Sequence, residues 1–148
     1  MANVNTLHEE MNTFLADQIV LGMKIHNFHW FITGDGFYPI HEKLDEYYGY
    51  SETRIDEVAE KLLTMDAKPL GSLKSVLERS SIKELDDEWM SAKEGFQALI
   101  PDFEHMKASA IKLIKLAEEL DNFAIADYFT EVSDHLALDL WQFKAYVK

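Results

Sequence analysis

The sequence predicts an all-α fold, a four-helix bundle with a short extra helix between the second and third long helices. Apolar residues recur every three or four positions in four stretches of roughly 25 to 30 residues, which is the period of an amphipathic helix. Nowhere does the strict alternation typical of a strand compete with this pattern. Helices with one apolar stripe each bury those stripes together as a bundle. We expect a single domain over residues 1–148, a length that can bury its own core.

The first helix is predicted to begin at a capping box, in which the side chains of Thr6 and Glu9 pair with each other's free backbone amides. Gly34-Asp35-Gly36 ends this helix, and Gln18 is the one polar member of its stripe. The apolar members are Leu7, Met11, Phe14, Leu21, Ile25, Phe28 and Ile32.

The second helix is predicted to start near Pro39, because proline's missing amide hydrogen costs nothing at the first helical position. It stops by Pro69, and Ser72–Arg79 follows as the short extra helix. The stripe of the second helix consists of Ile40, Leu44, Tyr47, Tyr48, Ile55, Val58, Ala59 and Leu62.

The third long helix has another capping box, formed by Ser91 and Glu94. Pro101 predicts either a kink in this helix or a later start. Its stripe consists of Phe96, Leu99, Phe103, Met106, Ala110, Leu113, Ala117 and Leu120. The fourth helix runs from about Asn122 to the end of the chain. Its stripe consists of Ile125, Phe129, Val132, Leu136, Leu140, Phe143 and Val147.

Composition excludes several classes of protein. Hydrophobic residues make up 47% and charged residues 28% of the chain, as in a globular rather than a disordered protein. No apolar run approaches about 18 residues and Met1–Glu10 lacks a signal-peptide pattern. We therefore expect a cytoplasmic protein that does not enter a membrane. Without cysteine, the chain has no disulfide, no thiolate metal site and no thiol catalysis.

The formal net charge is −13, and the first 23 residues contain no Lys or Arg. Because an acidic protein repels phosphate backbones at long range, we expect no binding to nucleic acid. The same charge is compatible with the handling of cations. A solubilising acidic surface explains the charge by itself more simply.

Residues His26 to Glu60 carry the pattern that points to chemistry. His41 and Asp45 are four residues apart on the second helix, so they lie one turn apart on one face. Asp56 and Glu60 repeat that arrangement, and positions 45 and 56 differ by only about 20° around the helix. Imidazole and carboxylate ligands without thiolate favour iron, manganese or zinc. The second helix is therefore a candidate metal-binding helix, and His29 is near enough in sequence to join it.

These ligands cannot converge within one chain. His41 and Glu60 are separated by about 28 Å along a helix that rises 1.5 Å per residue, whereas two metals in one centre lie only about 4 Å apart. A second copy of the helix, lying antiparallel across a twofold axis, would place His41 and Asp45 of one subunit opposite Glu60 and Asp56 of the other. Such an interface is reciprocal and creates two equivalent sites.

The metal hypothesis competes with a simpler one. A single helical His or Asp is more often solvated or hydrogen-bonded than a ligand, and carboxylates four residues apart occur by chance on acidic helices. Bundles that hold two irons in their own centre carry a Glu-x-x-His pair on each of two helices. None of the six histidines has a Glu three residues before it. The sequence therefore argues against a two-metal centre inside the bundle itself.

The segment KIHNFHWFITGDGFYPIHEKLDEYYGYSETRIDEVAEKLL, Lys24 to Leu63, resembles the signature of the Dps-like mini-ferritins. The resemblance covers most of the chain, including the short helix and the WQFKAYV ending. It implies a ferritin-like fold. It also implies a ferroxidase centre between twofold-related subunits, with iron as its metal. The ligands that it implies are His29, His41 and Asp45 of one subunit with Asp56 and Glu60 of the other.

Members of this family form hollow shells of twelve subunits, oxidise Fe²⁺ preferentially with hydrogen peroxide rather than dioxygen, and store the ferric mineral. The resemblance implies the same homo-oligomer here, and protection against oxidative stress. Asp56 and Glu60 would hold the tighter iron, and the two histidines with Asp45 the weaker one. Trp30 would pack near the centre or quench a stray oxidising equivalent, but an ordinary core or interface aromatic is the favoured interpretation. His26 is interpreted as structural, as a hydrogen-bonding partner that supports a ligand.

The resemblance also implies an acidic threefold pore near the start of the fourth helix, with Glu118, Asp121 and Asp127 as candidates. Phe123 falls where some relatives carry an acid. The chain has no Lys/Arg-rich arm of the kind that binds DNA in some members. Two alternatives remain beside iron storage: a protein that coats DNA, and a structural helical bundle without metal.

Overall fold

The computed structural model describes residues 2–148 and consists of five helices. They are α1 (Val4–Phe31), α2 (Phe37–Thr64), α3 (Leu73–Arg79), α4 (Ala92–Glu119) and α5 (Phe123–Val147). The four long helices form a bundle in which α1 pairs with α2, and α4 pairs with α5. Helix α1 also contacts α4 and the short helix α3. The predicted all-α four-helix bundle with a short extra helix is confirmed. Within residues 2–148 there is no helix with the length and apolarity that crossing a membrane requires.

The capping box of α1 and the first-position assignment of Pro39 in α2 are wrong. Helix α1 begins three residues earlier than predicted, because the side chain of Asn3 accepts a hydrogen bond from the Thr6 amide at 2.8 Å. Thr6 therefore lies inside the first turn and forms no capping box with Glu9. Helix α2 begins at Phe37, so Pro39 occupies its third position. Proline is tolerated there because the first four amides of a helix have no partner within the helix.

The other helix starts are confirmed. Ser72 caps α3 by accepting from the Ser75 amide at 3.2 Å, and Ser91 caps α4 by accepting from the Glu94 amide at 3.2 Å. Helix α4 runs without interruption through Pro101, which excludes the later start. Asn122 caps α5 at its predicted beginning.

Helix α1 is buried on almost every side. Its apolar stripe lies in the core as predicted, with Phe14 and Phe28 fully buried. The predicted stripe has only Gln18 as a polar member, but the structure buries further polar side chains of α1. They are Asn12, Asp17, Lys24, Asn27 and His29. Because burial of an unpaired polar group is costly, each of them requires a partner on another element.

Helix α2 is buried along a narrower stripe. Leu44, Tyr47, Val58 and Leu62 lie in the core, and the Tyr47 hydroxyl donates to Gln142 Oε1 of α5 at 3.0 Å. The other stripe residues of α2, such as Ile55, are only partly buried. One face of α2 therefore remains uncovered in the single chain.

None of the three tryptophans contributes to the core. Trp30 is 54% exposed, Trp89 is 70% exposed and Trp141 is 65% exposed. The large aromatic side chains that fill the core are phenylalanines instead. The tryptophans consequently mark three regions of the surface of a single subunit.

A polar seam joins α2 to α5. Arg54 is 6% exposed and its Nη2 donates to His135 Nδ1 at 2.9 Å. Asp139 is also buried, and its Oδ1 lies 3.9 Å from His135 Nε2. Burial raises the pKa of Asp139 to about 6, against the opposing pull of Arg54 and Lys43. The ionised Asp139 carboxylate is thus less stable in the folded protein than in water, even with the Arg54 guanidinium nearby.

Replacement of Asp139 with Asn is expected to raise the free energy of unfolding at pH 7 by about 2 kcal/mol. The folded pKa of about 6 exceeds the model-compound value of 3.8, so the native state holds this proton more tightly than the unfolded chain does. The stability that this provides is present below about pH 4 and is lost as the pH rises through about 6. Urea unfolding at pH 4 and pH 7, at one protein concentration, measures both effects.

Asp134→Asn is the matched control, because it removes the same charge from an exposed position on the same helix. It should leave the pH dependence unchanged. A variant Asp139→Asn that is less stable than the parent at pH 7 would contradict the assignment.

Gly95 of α4 marks a close approach to α1. A Cβ at this position would overlap the ring of Phe28. Gly95→Ala is therefore expected to destabilise the fold by about 1–3 kcal/mol, through forced displacement of a fully buried ring. Gly49→Ala is the control, since a Cβ at that helical position meets nothing within 4 Å. Thermal unfolding should show a lower midpoint for the first variant only; equal midpoints would refute the close packing.

Candidate metal centre

The turn between α1 and α2 brings two histidines together. Gly34 and Gly36 adopt φ values of 88° and 80°, a left-handed conformation that other residues rarely adopt, and so reverse the chain within a few residues. His29 near the end of α1 then faces His41 in the first turns of α2. Their rings are nearly parallel, with centroids 3.8 Å apart and an angle of 9° between the planes.

Each of these histidines is held by the other's backbone. His29 Nδ1 lies 2.6 Å from the carbonyl oxygen of His41, and His41 Nδ1 lies 2.8 Å from the carbonyl oxygen of His29. A carbonyl oxygen can only accept, so both Nδ1 atoms carry the hydrogen. In the neutral rings the lone pairs are therefore on the two Nε2 atoms, which is the tautomer that binds a metal through Nε2.

Asp45 lies next to this pair. Its Oδ1 is 3.8 Å from His29 Nε2, and its side chain is 68% exposed. The structure thus brings together three of the five predicted site residues, namely His29, His41 and Asp45. Their imidazole and carboxylate groups suit a borderline or hard divalent cation such as Fe²⁺.

Asp56 and Glu60 lie apart from that group. Both are exposed on α2, and Glu60 is about 22 Å along the helix from Asp45. Within residues 2–148 of a single chain, no three His, Asp or Glu side chains are placed so that they could hold a metal ion. The five predicted ligands are therefore divided into two groups, one at the α1–α2 turn that includes His29 of α1 and one further along α2.

A groove of about 680 Å³ runs beside the second group. It lies between α1, α2, α3 and the residues that follow α3, and Asp56 is part of its lining. Several apolar side chains on this face are exposed, including Met23 (53%), Leu73 (76%) and Leu77 (54%). A contiguous apolar surface of this kind is typical of a protein–protein interface.

His26 and Trp30 lie at the boundary between the groove and the histidine pair. The His26 ring stacks on Tyr48, and its centroid is 4.8 Å from that of Trp30. Burial lowers the pKa of His26, helped by His29 and opposed by Asp45 and Glu52. Among the described residues, His26 has no side-chain hydrogen bond, so it supports its neighbours by stacking rather than by the predicted hydrogen bond. The half-exposed Trp30 does not belong to the core.

The pore candidates lie at the opposite end of the bundle from the histidine pair. Glu118, Asp121 and Asp127 are exposed around the turn between α4 and α5, and Phe123 beside them is 63% exposed. This turn adjoins the end of α2, where Asn122 Nδ2 lies 3.5 Å from Met65 Sδ.

Sequence reasoning missed the buried polar residues of α1. Asn12, Asp17 and Asn27 hold the long connection between α2 and α4. A signal was available, because these residues interrupt a helix that is otherwise rich in apolar side chains. A pattern with one buried stripe assigns such positions to solvent.

Comparison with known proteins agrees with this architecture. The ferritin-like domain family matches residues 8–148. The DNA protection during starvation protein 2 of Bacillus anthracis is 35% identical over 140 residues, which cover 94% of each chain. The crystal structure of Dps from Staphylococcus aureus superposes with a TM-score of 0.95 and 29% identity, covering 100% of this chain and 99% of that one.

A Dps protein from Vibrio cholerae has a TM-score of 0.94 and 27% identity, covering 100% of this chain and 98% of the other. It is described as a member of a broad superfamily of ferritin-like diiron-carboxylate proteins. The matched region includes all five helices. The chain belongs to the Dps family of ferritin-like proteins.

Proposed function

We propose that this protein oxidises Fe²⁺ at a two-iron centre formed between two subunits and stores the ferric product inside an oligomeric shell. Iron is the substrate and the cargo. The observation that carries the proposal is the pair of hydrogen bonds by which His29 and His41 are each held at Nδ1 by the other's backbone. This arrangement leaves Nε2 of each ring for a ligand role, and Asp45 Oδ1 lies 3.8 Å from Nε2 of His29. The diiron-carboxylate description of the Vibrio cholerae relative supports iron over other cations.

A second copy completes the ligand set. If its α2 lies antiparallel to the first across a twofold axis, Asp56 and Glu60 of one subunit meet His29, His41 and Asp45 of the other. The uncovered apolar groove beside Asp56 supports this arrangement, because a partner packed there would bury it. Each dimer would then hold two equivalent centres.

Three carboxylates and two imidazoles offer enough ligands for two ferrous ions. Asp56 and Glu60 would hold the tighter one, and Glu60 could reach both. Each Fe²⁺ gives up one electron, and hydrogen peroxide takes up two electrons and two protons as its O–O bond breaks to yield two water molecules. Paired oxidation therefore avoids the one-electron cleavage that releases hydroxyl radical. This chemistry would protect the cell from oxidative stress.

The shell is proposed to contain twelve subunits, which corresponds to about 205 kDa for a subunit of 17.1 kDa. Glu118, Asp121 and Asp127 remain the proposed acids at the entry route for iron. Their exposure at one turn supports a role in attracting cations, although each is only part of an acidic surface until copies meet.

The intersubunit site can be tested by complementation between two variants. Asp56→Ala/Glu60→Ala removes one group of ligands, and His41→Ala/Asp45→Ala removes the other. Each variant alone should lose rapid peroxide-driven iron oxidation. When the two are co-expressed and purified through different tags, a mixed dimer has one intact centre and one that retains only His29. Random pairing should therefore restore about a quarter of the wild-type rate per subunit.

Stopped-flow absorbance of ferric iron measures this rate, and native mass spectrometry verifies that mixed dimers are present. Normal oxidation by Asp56→Ala/Glu60→Ala alone would show that the assigned ligands are wrong. Verified mixed dimers without recovered activity would show that the two groups do not share a centre. Absence of saturable Fe²⁺ binding to the intact wild-type oligomer would favour a structural bundle without metal.

We propose that the protein does not coat DNA, although its Bacillus anthracis relative is named for DNA protection. With a net charge of −13, the subunit is expected to show no retention of duplex DNA in a gel-shift assay at physiological salt. Retention that weakens as salt is added would overturn this expectation. The same assay with 10-fold more protein controls for weak association.

A further inference from the structure

The connection between α2 and α4 crosses over α1 and is tied to it at several points. We call residues 65–91 the crossover segment. Asn12 donates to the Lys68 carbonyl at 3.0 Å and accepts from the Leu70 amide at 2.9 Å. Further along, Asn27 donates to the Asp86 carbonyl at 3.1 Å. The crossover segment therefore follows polar side chains that project from α1.

The central tie is made by Asp17, whose carboxylate is completely buried. Asp17 Oδ1 accepts from the Ser80 hydroxyl and from the Ser81 amide, each at 2.8 Å. Asp17 Oδ2 accepts from His105 Nε2 of α4 at 2.8 Å, and the Ser81 hydroxyl lies 3.2 Å from the same oxygen. One carboxylate thus joins α1, the crossover segment and α4.

The other contacts of this part of the crossover segment are fewer or more exposed. Val76 is the buried residue of α3 and Ile82 is buried beyond it, while Leu73 and Leu77 face outwards. Near the end of α3, Arg79 forms an exposed ion pair with Glu9 at 2.9 Å and donates to the Glu9 carbonyl at 3.2 Å. Exposed pairs contribute little, whereas a buried carboxylate that accepts several hydrogen bonds holds its donors firmly. Asp17 is therefore the strongest polar tie on the residues that follow α3.

The crossover segment forms one wall of the apolar groove. On the α3 side, the groove is lined by Leu73, Val76 and Leu77. After Ser80 and Ser81, it is lined by Glu84, Leu85 and Asp87. Asp56 lines the facing wall. A displacement of the crossover segment would thus change the surface that lies against Asp56.

We propose that Asp17 is a positioning residue for subunit pairing: its bonds to Ser80, Ser81 and His105 fix the crossover segment in the shape that a second copy of this chain recognises. The inference deepens the proposed function, since a partner that docks there supplies half of the ligands. Asp17 itself touches neither the partner nor iron; it acts through the wall of the groove.

The test compares subunit association in Asp17→Ala and the parent by sedimentation velocity over a range of protein concentrations, without iron. Asp17→Ala should remain helical by circular dichroism. Its subunits should dissociate at protein concentrations about tenfold or more above those at which the parent dissociates, as expected for the loss of charge-assisted hydrogen bonds. Hydrogen exchange should show faster exchange in residues 72–87 than in the parent. Asp17→Asn retains one carbonyl oxygen for the serine donors and should restore most of the association.

Lys112→Ala is the matched control, because the Lys112–Glu10 pair joins α4 to α1 at 3.0 Å, as His105–Asp17 does, without contacting the crossover segment. It should leave both measurements unchanged. If Asp17→Ala does not fold, Ser80→Ala/Ser81→Ala takes its place, since it removes the two hydroxyl donors of the crossover segment and retains the Asp17 carboxylate. Parent-like association in the folded variant would overturn the proposal.

Iron measurements separate this proposal from the proposed function. At protein concentrations high enough to restore assembly, Asp17→Ala should oxidise iron at the parent's rate per subunit, because its ligands are intact. A wild-type protein that assembles but does not oxidise iron would contradict the proposed function and leave the association test valid. A variant that assembles normally would contradict only the role of Asp17.

Discussion

A helix that is buried on almost every side needs partners for its buried polar side chains, and this requirement shapes the surroundings of α1. Its apolar residues pack against α2, α4 and α5 in the core, and its polar side chains form ion pairs and hydrogen bonds with neighbouring elements. Lys24 forms an ion pair with Asp102 of α4, and Gln18 donates to the Ser51 hydroxyl of α2 at 2.9 Å. Because a buried polar group without a partner is costly, each of these contacts helps to specify where a neighbouring element lies.

The same logic shapes the candidate centre. His29 is a buried polar residue of α1, and its requirement for a partner is met by the backbone of α2 rather than by a side chain. The bond occupies Nδ1 and leaves Nε2, the nitrogen that the proposed function assigns to iron, outside it. Within residues 2–148, the exposed Asp56 and Glu60 have no comparable support. Their placement becomes meaningful only when a second copy is considered.

Much of the fold follows from local sequence patterns. The stripes of α4 and α5, the cap at Ser91 and the short helix α3 were all predictable, because periodicity and capping are local properties. The start of α1 was not, since Asn3 and Thr6 are both good caps and the earlier one is used. The role of Asp17 was also not predictable from periodicity, because an argument from periodicity assumes that a helix buries only one face.

The candidate site, like the fold, was predictable from the sequence only in part. Helical spacing predicted that the ligands on α2 share a face and that one chain cannot gather them. It could not predict the hydrogen bonds between the His29 and His41 rings and each other's backbone. These bonds depend on the turn at Gly34 and Gly36 and on backbone carbonyl groups, which carry no sequence signal because every residue has one. Nor could it show which residues shape the groove, since Asp17 and Ser81 are separated by 64 positions.

The exclusion of tryptophan from the core has a practical consequence for spectroscopy. With Trp30, Trp89 and Trp141 each more than half exposed, intrinsic fluorescence of this protein reports on its periphery rather than on its interior. Emission should shift if a second copy covers one of these indoles. Far-ultraviolet dichroism reports the helical backbone and follows its unfolding separately. One sample can therefore be watched in two independent channels.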